Sequence, residues 1–411
     1  MWTLSLLTPL ALQLAHDPRT APTLVEHTLF TLRCTPGRVE SLGDVDGDGV
    51  SELLAQAGGD LVRFAGGHGG QQCTLAERPT CWAVGPDLDG DGIQDVAVVT
   101  EGSPAIVVVS GRTGDWLRVL ASVVPQLTSL AWCRDLDGDG VPELISISPS
   151  LVQSSITSSA IVAQARAHSG SSGAQIWETR VALNRHTGAR VQDVGDRTGE
   201  GVADILIDDG PVEGSRATWL SGCSGERFSD PLGRDGPFTA LGDLDGDGRG
   251  DIGSGGAPRP FERFAVHAST GLHPWAGTPF PDQWPIEPVV LVLGDLDGDD
   301  CPEIALGDSN FHLRDSRQCH RYPTDLSQMT LQEAADLESR PMSLAQESGI
   351  VRVHSGATGT VILAIYGAPG SHWGLGSNVW QVADQDGDGL PDLAVNTPAG
   401  MGIFATGAAR R

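Results

Sequence analysis

The sequence predicts an all-β fold of the β-propeller class, with eight blades by repeat count and seven as the alternative. Two recurring elements, an acidic nonapeptide and a short glycine turn, predict this fold, and the composition agrees. The 411 residues include 54 glycines and 26 prolines, while only 19% are charged. Many short strands joined by tight turns have this composition, whereas long helices do not.

The acidic nonapeptide occurs seven times along the chain. Its copies begin at Asp44, Asp87, Asp135, Asp196, Asp243, Asp295 and Asp384. Each precedes an apolar run that reads as a strand, and the first six follow at the roughly 50-residue spacing of a propeller blade. The last two are nearly twice as far apart, and a degenerate copy near Asp336 lies between them. The chain therefore holds eight repeat units.

A Ser-Gly-x-x-Gly turn accompanies the acidic nonapeptide. It occurs around Gly111, Gly170, Gly222 and Gly356, with a strand-like run on each side. A unit thus reads as strand, acidic loop, strand, glycine turn and strand, with one more strand leading to the next loop. Four strands in about 50 residues make one propeller blade.

The two chain ends carry strands that belong to no complete unit. Residues 28–33 and 39–42 read as strands near the N-terminus, and residues 393–395 and 402–405 do so near the C-terminus. One blade built from both ends would leave no long open sheet edge. We therefore predict a single closed propeller over residues 23–411. A row of separate hairpin modules is the alternative.

The carboxylates of the nonapeptide alternate in the way that a calcium loop requires. Calcium takes six to eight oxygen ligands, and acids at positions one, three, five and nine can converge on one ion. Position seven offers its backbone carbonyl, and glycines at positions four and six allow the chain to turn. Turn formation alone is the alternative for one copy, but the recurrence of the acids favours metal binding. In the first loop these ligands are Asp44, Asp46, Asp48, Val50 and Glu52.

The same five positions supply the predicted ligands of the other six loops. These are Asp87, Asp89, Asp91, Ile93 and Asp95; Asp135, Asp137, Asp139, Val141 and Glu143; Asp196, Thr198, Glu200, Val202 and Asp204; Asp243, Asp245, Asp247, Arg249 and Asp251; Asp295, Asp297, Asp299, Cys301 and Glu303; and Asp384, Asp386, Asp388, Leu390 and Asp392. The loop that begins at Asp196 departs most, and we expect it to bind weakly or to stay empty. The sequence thus predicts about six or seven Ca²⁺ ions.

The charge of the chain agrees with bound cations. A formal net charge of -27 disfavours a compact state through self-repulsion, and divalent ions in the loops would offset it. Lys and Arg together number 26 and are scattered, so the sequence predicts no nucleic-acid partner. We expect a monomer.

The segment 243–258, DLDGDGRGDIGSGGAP, joins an acidic loop to a Gly-Ala-Pro element, and Leu375-Gly376 precedes the last loop. These motifs resemble those of FG-GAP repeat proteins, such as the N-terminal propellers of integrin alpha subunits, and the resemblance covers the chain after about residue 22. It implies calcium loops on one face and an adhesion or ligand-binding role toward a protein or a glycan. The number of units differs from that of integrins, so we do not expect this chain to share the integrin ligand itself.

The N-terminal residues 1–22 read as a signal peptide or a disordered start. The segment 1–15 is apolar but lacks a basic residue, and no later apolar run reaches membrane-spanning length. We therefore expect a secreted, periplasmic or cell-surface protein without a transmembrane segment. Seven cysteines leave one unpaired; Cys73 with Cys81 and Cys301 with Cys319 are near enough to form disulfides, and buried thiols are the alternative.

Catalytic motifs are absent from the sequence. The eleven histidines are scattered, and none has the spacing of a nucleophile elbow or a zinc site. A binding role is therefore favoured over catalysis, and a calcium-dependent polysaccharide lyase on an eight-bladed propeller is the alternative. The insertions 148–160 and 258–288, the second of which contains Trp275 and Trp284, are the candidate binding surfaces. Packing within the blades is the favoured alternative for these tryptophans, because Trp82, Trp132 and Trp380 each lie just before an acidic loop.

Overall fold

The computed structural model describes the chain in segments. These are residues 11–14, 24–25, 28–35, 37–103, 105–122, 127, 129–149, 161–183, 189–208, 217–232, 238–243, 249–254, 265–268, 271–276, 289–299, 301–308, 312–313, 346–347, 349–366, 375–397 and 400–407. The described elements are all β-strands. The described part of the chain contains no helix that is long and apolar enough to cross a membrane. The fold is an all-β β-propeller, as the sequence predicts.

The strands are numbered in chain order. They are β1 (Ala11–Leu14), β2 (Leu24–Val25), β3 (Thr28–Leu32), β4 (Val39–Gly43), β5 (Glu52–Ala57), β6 (Asp60–Phe64), β7 (Gln71–Ala76), β8 (Pro79–Val84), β9 (Val96–Thr100), β10 (Ala105–Val109), β11 (Trp116–Ser122), β12 (Ser129–Cys133), β13 (Glu143–Pro149), β14 (Ile161–His168), β15 (Gln175–Leu183), β16 (Arg190–Asp193), β17 (Ile205–Asp208), β18 (Ala217–Leu220), β19 (Arg227–Phe228), β20 (Phe238–Gly242), β21 (Asp251–Ser254), β22 (Ala265–Ala268), β23 (Gly271–Ala276), β24 (Val289–Val292), β25 (Ile304–Asp308), β26 (His312–Leu313), β27 (Gln346–Glu347), β28 (Ile350–His354), β29 (Val361–Tyr366), β30 (Val379–Val382), β31 (Asp392–Thr397) and β32 (Gly400–Phe404).

The chain divides into two compact units. The larger comprises Val39–Gly66 and Gly70–Ala276 and contains five antiparallel blades, β4–β7, β8–β11, β12–β15, β16–β19 and β20–β23. In each blade the strands lie in the order in which they occur along the chain. The other unit comprises Met1–Arg38, Gly67–Gly69 and Gly277–Arg411 and contains the remaining sheets.

The predicted number of blades is wrong for the described residues. Six sheets have the four-stranded form, rather than eight or seven: the five of the larger unit and the sheet β3-β32-β31-β30. A further sheet contains six strands, because β1 pairs along the free edge of β29 and β2 adds to β1. The degenerate repeat near Asp336 lies outside the described residues, where only the short pair β26–β27 flanks it.

The two ends of the chain share one sheet. Strand β3 from the N-terminal part pairs with β32 from the C-terminal part, with Thr28 opposite Phe404 and Leu32 opposite Met401. Leu32 and Phe404 are almost completely buried. This pairing agrees with the expectation that both ends complete one blade.

Adjacent blades of the larger unit pack through alternating side chains, as β10 illustrates. Val107 and Val109 belong to a buried cluster with Leu54 and Leu61 of the preceding blade. Ile106 and Val108 point to the opposite face and join a cluster that includes Leu130 and Leu144 of the following blade. Since successive side chains of a strand alternate between faces, a strand that is apolar throughout is buried on both sides.

The described cysteines form no disulfide. Cys34, Cys73, Cys81, Cys133, Cys223 and Cys301 take part in no disulfide, so the possible pair between Cys73 and Cys81 is not formed. Cys319 lies outside the described residues. Burial raises the pKa of the Cys34 thiol to about 11.

The acidic loop and the glycine turn lie at the same end of a blade. The loop joins the first strand to the second and the glycine turn joins the third to the fourth, so an antiparallel sheet brings them together. The first glycine of the turn packs directly against the carbonyl at position eight of the loop. A Cβ atom on Gly222 would lie 1.9 Å from the oxygen of Ala203, and one on Gly111 would lie 2.0 Å from that of Gln94.

This contact predicts the effect of a single methyl group. We expect Gly222→Ala to lower the free energy of unfolding by about 1 to 3 kcal/mol, because the loop and the turn must separate to admit the Cβ atom. Urea denaturation in millimolar calcium measures the change. Gly37→Ala, at a glycine whose added Cβ atom has no neighbour closer than 3.9 Å, is the control. Equal stability of the two variants would contradict the packing argument.

Candidate metal centres

The first four acidic loops and the seventh share one backbone conformation. The carboxylate at position one accepts the N–H groups of the glycines at positions four and six. In the third loop, Gly138 and Gly140 donate to Asp135 over 2.6 and 2.8 Å. Both glycines have positive φ, 82° and 84°, which explains why glycine recurs there. The N–H of Gly140 is the main reason that the pKa of Asp135 is lowered.

The carboxylate at position nine is buried in every loop. Glu52, Asp95, Glu143, Asp204, Asp251, Glu303 and Asp392 all have no exposed surface. In the second and seventh loops this group accepts the N–H of the residue at position two, from Leu88 to Asp95 over 2.7 Å and from Gln385 to Asp392 over 2.8 Å. The position-nine acid therefore ties the start of the loop to the second strand of the blade.

The glycine turn reaches the same carboxylate from the other side. The N–H of Gly222 donates to Asp204 over 3.3 Å, and that of Gly111 does so to Asp95 over the same distance. In the last blade Thr406 takes this place and donates to Asp392 over 3.1 Å. One buried carboxylate thus binds the loop, the second strand and the turn.

The position-five acid has a side-chain partner on the glycine turn. Ser171 donates to Asp139, Ser221 to Glu200 over 2.7 Å, and Ser355 to Asp299 over 3.3 Å. These serines were not predicted as part of the site. Ser221 and Ser355 begin the recurrent Ser-Gly-x-x-Gly element, and Ser171 follows its first glycine; the element predicts a turn but not a side-chain partner for the loop.

Carboxylate oxygens converge in five of the described loops. Within each group the oxygens lie within 4.8 Å of one another. The groups are Asp135, Asp137, Asp139 and Glu143; Asp295, Asp297, Asp299 and Glu303; Asp44, Asp46 and Asp48; Asp87, Asp89 and Asp95; and Asp384, Asp386 and Asp392. Calcium–oxygen distances of about 2.3 to 2.6 Å place opposite ligands roughly 5 Å apart, so these groups have the dimensions of a calcium shell.

The third and sixth loops contain buried oxygens without a protein partner. The N–H of Leu136 donates to one oxygen of Glu143, and the N–H of Leu296 donates to one oxygen of Glu303. The second oxygen, Oε1 in both residues, is buried and accepts no hydrogen bond. An unsatisfied buried carboxylate oxygen is costly, and a cation among these acids would satisfy it. The residues present therefore fit a hard cation.

The same burial shifts the titration of these groups. Burial raises the pKa of both Glu143 and Glu303 to about 7, and the neighbouring aspartates of each loop add to the shift. Asp392 has a pKa of about 7 for the same reason. A positive ion in the loop would favour the ionised form of all three.

The second loop shares one acid with an arginine. The Nε atom of Arg112, in the glycine turn, lies 3.0 Å from Oδ2 of Asp91. The same guanidinium donates to the carbonyl of Val45 in the first loop over 2.9 Å. Asp91 is absent from the converging group of its loop, and a cation there would have one fewer carboxylate.

The fourth loop is satisfied from within. Thr198 Oγ1 donates to Asp204 over 3.3 Å, where the other loops have a carboxylate. The N–H groups of Arg197 and Thr198 donate to the other oxygen of Asp204 over 2.9 and 2.8 Å. The acids of this loop do not form one of the converging groups among the described residues. We therefore still expect this loop to bind calcium weakly or not at all, because the threonine stands where the other loops have a carboxylate.

The fifth loop is described only in part. Asp243, Arg249 and Asp251 lie at its ends, and Asp245 and Asp247 lie outside the described residues, as does Asp300 of the sixth loop. At position seven, five described loops show the N–H donating to the position-five acid, from Val141 to Asp139 over 2.8 Å for example. The predicted role of the position-seven carbonyls as ligands stays a prediction.

Comparison with protein families identifies one repeat unit. Residues 87–146 match the model of the FG-GAP-like repeat. The chain carries an FG-GAP-like repeat. The match begins at Asp87 and includes the complete second acidic loop, the strands that follow it and the third acidic loop. The FG-GAP-like repeat thus coincides with the unit defined above by its loop and its glycine turn. No curated protein matches the sequence.

Several solved structures are similar to the chain at low identity. BBS1N, crystallised in complex with ARL6DN and soaked with lead, is 12% identical, with a TM-score of 0.48 and 96% of each chain covered. Sqt1 of Saccharomyces cerevisiae is 10% identical, with a TM-score of 0.45, and the match covers 92% of this chain and 98% of Sqt1. The V. cholerae biofilm matrix protein Bap1 is 14% identical, with a TM-score of 0.31 and coverages of 89% and 77%. TM-scores below 0.5 carry no functional argument.

The predicted binding surfaces fall largely beyond the described chain. Residues 150–160 and 277–288, including Trp284, lie outside the described residues, and Trp275 lies in β23. Trp82 is buried in the cluster between the first two blades. Two histidines, His168 and His354, are buried, and burial lowers the pKa of each to about 4.

The raised pKa of the position-nine acids predicts how the metal-free protein responds to pH. Glu143 titrates near pH 7 in the folded chain and near 4.5 when unfolded, so the folded chain binds more protons between these values. Stability in EDTA should therefore fall as the pH rises from 6.5 to 8, by about 1 kcal/mol for each such group. The buried histidines affect the pH dependence of stability mainly below pH 6.5. Thermal unfolding across this range measures the fall.

Glu143→Gln is the matched variant for this measurement. The glutamine keeps the shape of the side chain and cannot ionise, so the fall between pH 6.5 and 8 should shrink by about 1 kcal/mol. A variant with the same pH dependence as the natural chain would show that Glu143 does not titrate there.

Proposed function

We propose that the protein is a calcium-stabilised ligand-binding propeller that acts outside the cytoplasm. The observation that carries the calcium assignment is the buried, unpartnered Oε1 of Glu143 and of Glu303, each beside three aspartates. Hydrogen bonds within the chain satisfy the other oxygen of each group and leave this one for a cation. All ligands are oxygens, which favours calcium over zinc or copper.

The number of ions follows from the loops. Five described loops contain converging acids, and the fifth loop has the same acids in its sequence, so we propose six ions and an empty fourth loop. Six divalent ions would offset 12 of the charges that give the chain its net charge of -27. The ions would then be structural, since each joins the acids of one loop to the buried end of its blade.

The location follows from the calcium concentration that such sites need. Exposed loops of this kind suit extracellular calcium, since sites of 10⁻⁴ to 10⁻³ M affinity fill at millimolar concentrations and stay empty in the cytosol. We therefore propose a secreted, periplasmic or cell-surface protein. An adhesion-type or ligand-binding role fits the FG-GAP-like repeat and the absence of catalytic motifs from the sequence.

Calcium removal tests the proposal. We expect the melting temperature to fall by more than about 10 °C between millimolar calcium and excess EDTA, because each ion stabilises the folded state by roughly 1 to 3 kcal/mol. Elemental analysis of the dialysed protein should find about six calcium ions per chain. An unchanged melting temperature, with no bound calcium, would show that the acidic loops are turns without a metal-binding role.

Single substitutions assign the ions to loops. Asp137→Asn, at an exposed position of the third loop, should reduce the calcium content by one ion per chain while the fold persists. Thr198→Asp should add one ion, since it restores the missing carboxylate of the fourth loop. Elemental analysis and calcium titration measure both. An unchanged content in both variants would show that the ions, if present, lie elsewhere.

A further inference from the structure

A cleft lies between the outer edges of the first two blades, β4–β7 and β8–β11. Its volume is about 520 Å³, within the range of small-molecule sites. Leu75 and Ala76 of β7 line it from one side, and Val98, Val107 and Val109 of the next blade line it from the other. It is separate from the calcium loops, because its lining strands carry no predicted metal ligand.

Trp116 stands exposed at this cleft. Its residue is 73% exposed, and Val119 on the same strand is 56% exposed; they are the large apolar side chains that the described chain leaves in solvent. Trp116 pairs with Val109 and Val119 with Val107, so both extend the apolar face that the two blades otherwise bury against each other. An indole that remains this accessible beside a cleft is available to a ligand.

Three other described sheets do not place an aromatic residue at the position of Trp116. Counted from the glycine turn, this position is held by Gln175 in the third blade and by Arg227 in the fourth, both exposed. Val361 occupies it next to β28 and is half-buried. The fold therefore does not require a tryptophan there, and packing does not explain it.

Polar groups form the rim of the cleft. Arg78 and Glu101 make an exposed ion pair, and Thr74 and Thr100 also line the cleft. Arg78 has φ of 45°, the only non-glycine residue with positive φ in the described part of the chain. Such a conformation costs about 1 to 3 kcal/mol. The backbone N–H of Arg78 donates a hydrogen bond to Oδ1 of Asp60 over 3.1 Å, which helps to stabilise the conformation.

We propose that this cleft binds a neutral oligosaccharide, with one sugar ring stacked on Trp116. The apolar C–H face of a pyranose packs on an indole, while its hydroxyl groups hydrogen-bond to paired charges such as Arg78 and Glu101. Glu77 and Glu101 outnumber the single arginine, and the whole chain has a net charge of -27, so an acidic polymer would be repelled.

The inference deepens the proposed function by naming a ligand class. It rests on that function in one respect only, namely that bound calcium stabilises the blades that form the cleft. The site itself consists of different residues. Binding is therefore measured on the full chain in millimolar calcium, after the bound ions have been counted and folding confirmed. A failure of saccharide binding in that preparation leaves the calcium proposal intact, and a failure of calcium binding is seen before any saccharide is added.

The test is calorimetric titration with cellohexaose, mannohexaose, maltohexaose and N-acetylchitohexaose, and with hexagalacturonate as the acidic comparison. We expect at least one neutral hexaose to bind saturably and more tightly than hexagalacturonate. Trp116→Ala should weaken that binding at least about ten-fold. Trp116→Phe, which retains an aromatic face, should restore part of it. Gln175→Ala, at the equivalent exposed position of the next blade, is the control and should bind as the natural chain does.

Several results would overturn the inference. These are the failure of all four neutral hexaoses to bind, tighter binding of hexagalacturonate, or unchanged affinity in the folded Trp116→Ala variant. A protein ligand that requires Trp116, found where the hexaoses fail, would replace the saccharide with a different class of partner.

Discussion

The structure depends on a carboxylate that is buried at one end of each blade. This position-nine acid ends the acidic loop and begins or directly precedes the second strand, and the glycine turn donates to it in the second and fourth blades. Burial of a carboxylate is unfavourable unless hydrogen bonds and an opposite charge compensate. Neither Glu143 nor Glu303 has an ion-pair partner among the described residues, and each keeps one oxygen without a hydrogen bond. The sequence around them supplies further acids, so a cation is the consistent compensation.

The groups that surround the buried carboxylate differ from loop to loop. The third and sixth assemble four carboxylates. In the second, Arg112 takes one acid and links the loop to its neighbour, and in the fourth the hydroxyl of Thr198 replaces a carboxylate and completes the bonding internally. A repeat can therefore keep its shape while its charge pattern varies from blade to blade. Under the proposed function, this charge pattern, rather than the backbone, would set the affinity of each loop for calcium.

The outer strands of the blades can vary at their exposed positions, because only some of their side chains, such as Leu75 and Leu120, enter the packing between blades. Strands β7 and β11 are edge strands, and the cleft between them carries Trp116 where other blades have polar or smaller residues. Stability thus resides at the loop end and in the faces between blades, whereas recognition can develop at the edges. This separation is common in repeat proteins, in which a uniform scaffold presents non-uniform surfaces.

The sequence by itself determined the all-β class, the repeat and the residues of each acidic loop, because spacing and residue type are local properties. The predicted eight or seven blades differ from the six four-stranded sheets of the described residues, and the sequence did not predict that β1 would pair with β29, because that pairing joins residues far apart in the chain. The role of Ser171 and Ser221 as partners of the loop acids also needed the fold, because only an antiparallel sheet brings the glycine turn to the acidic loop. Trp116 became conspicuous only through its exposure, which depends on the strands that surround it.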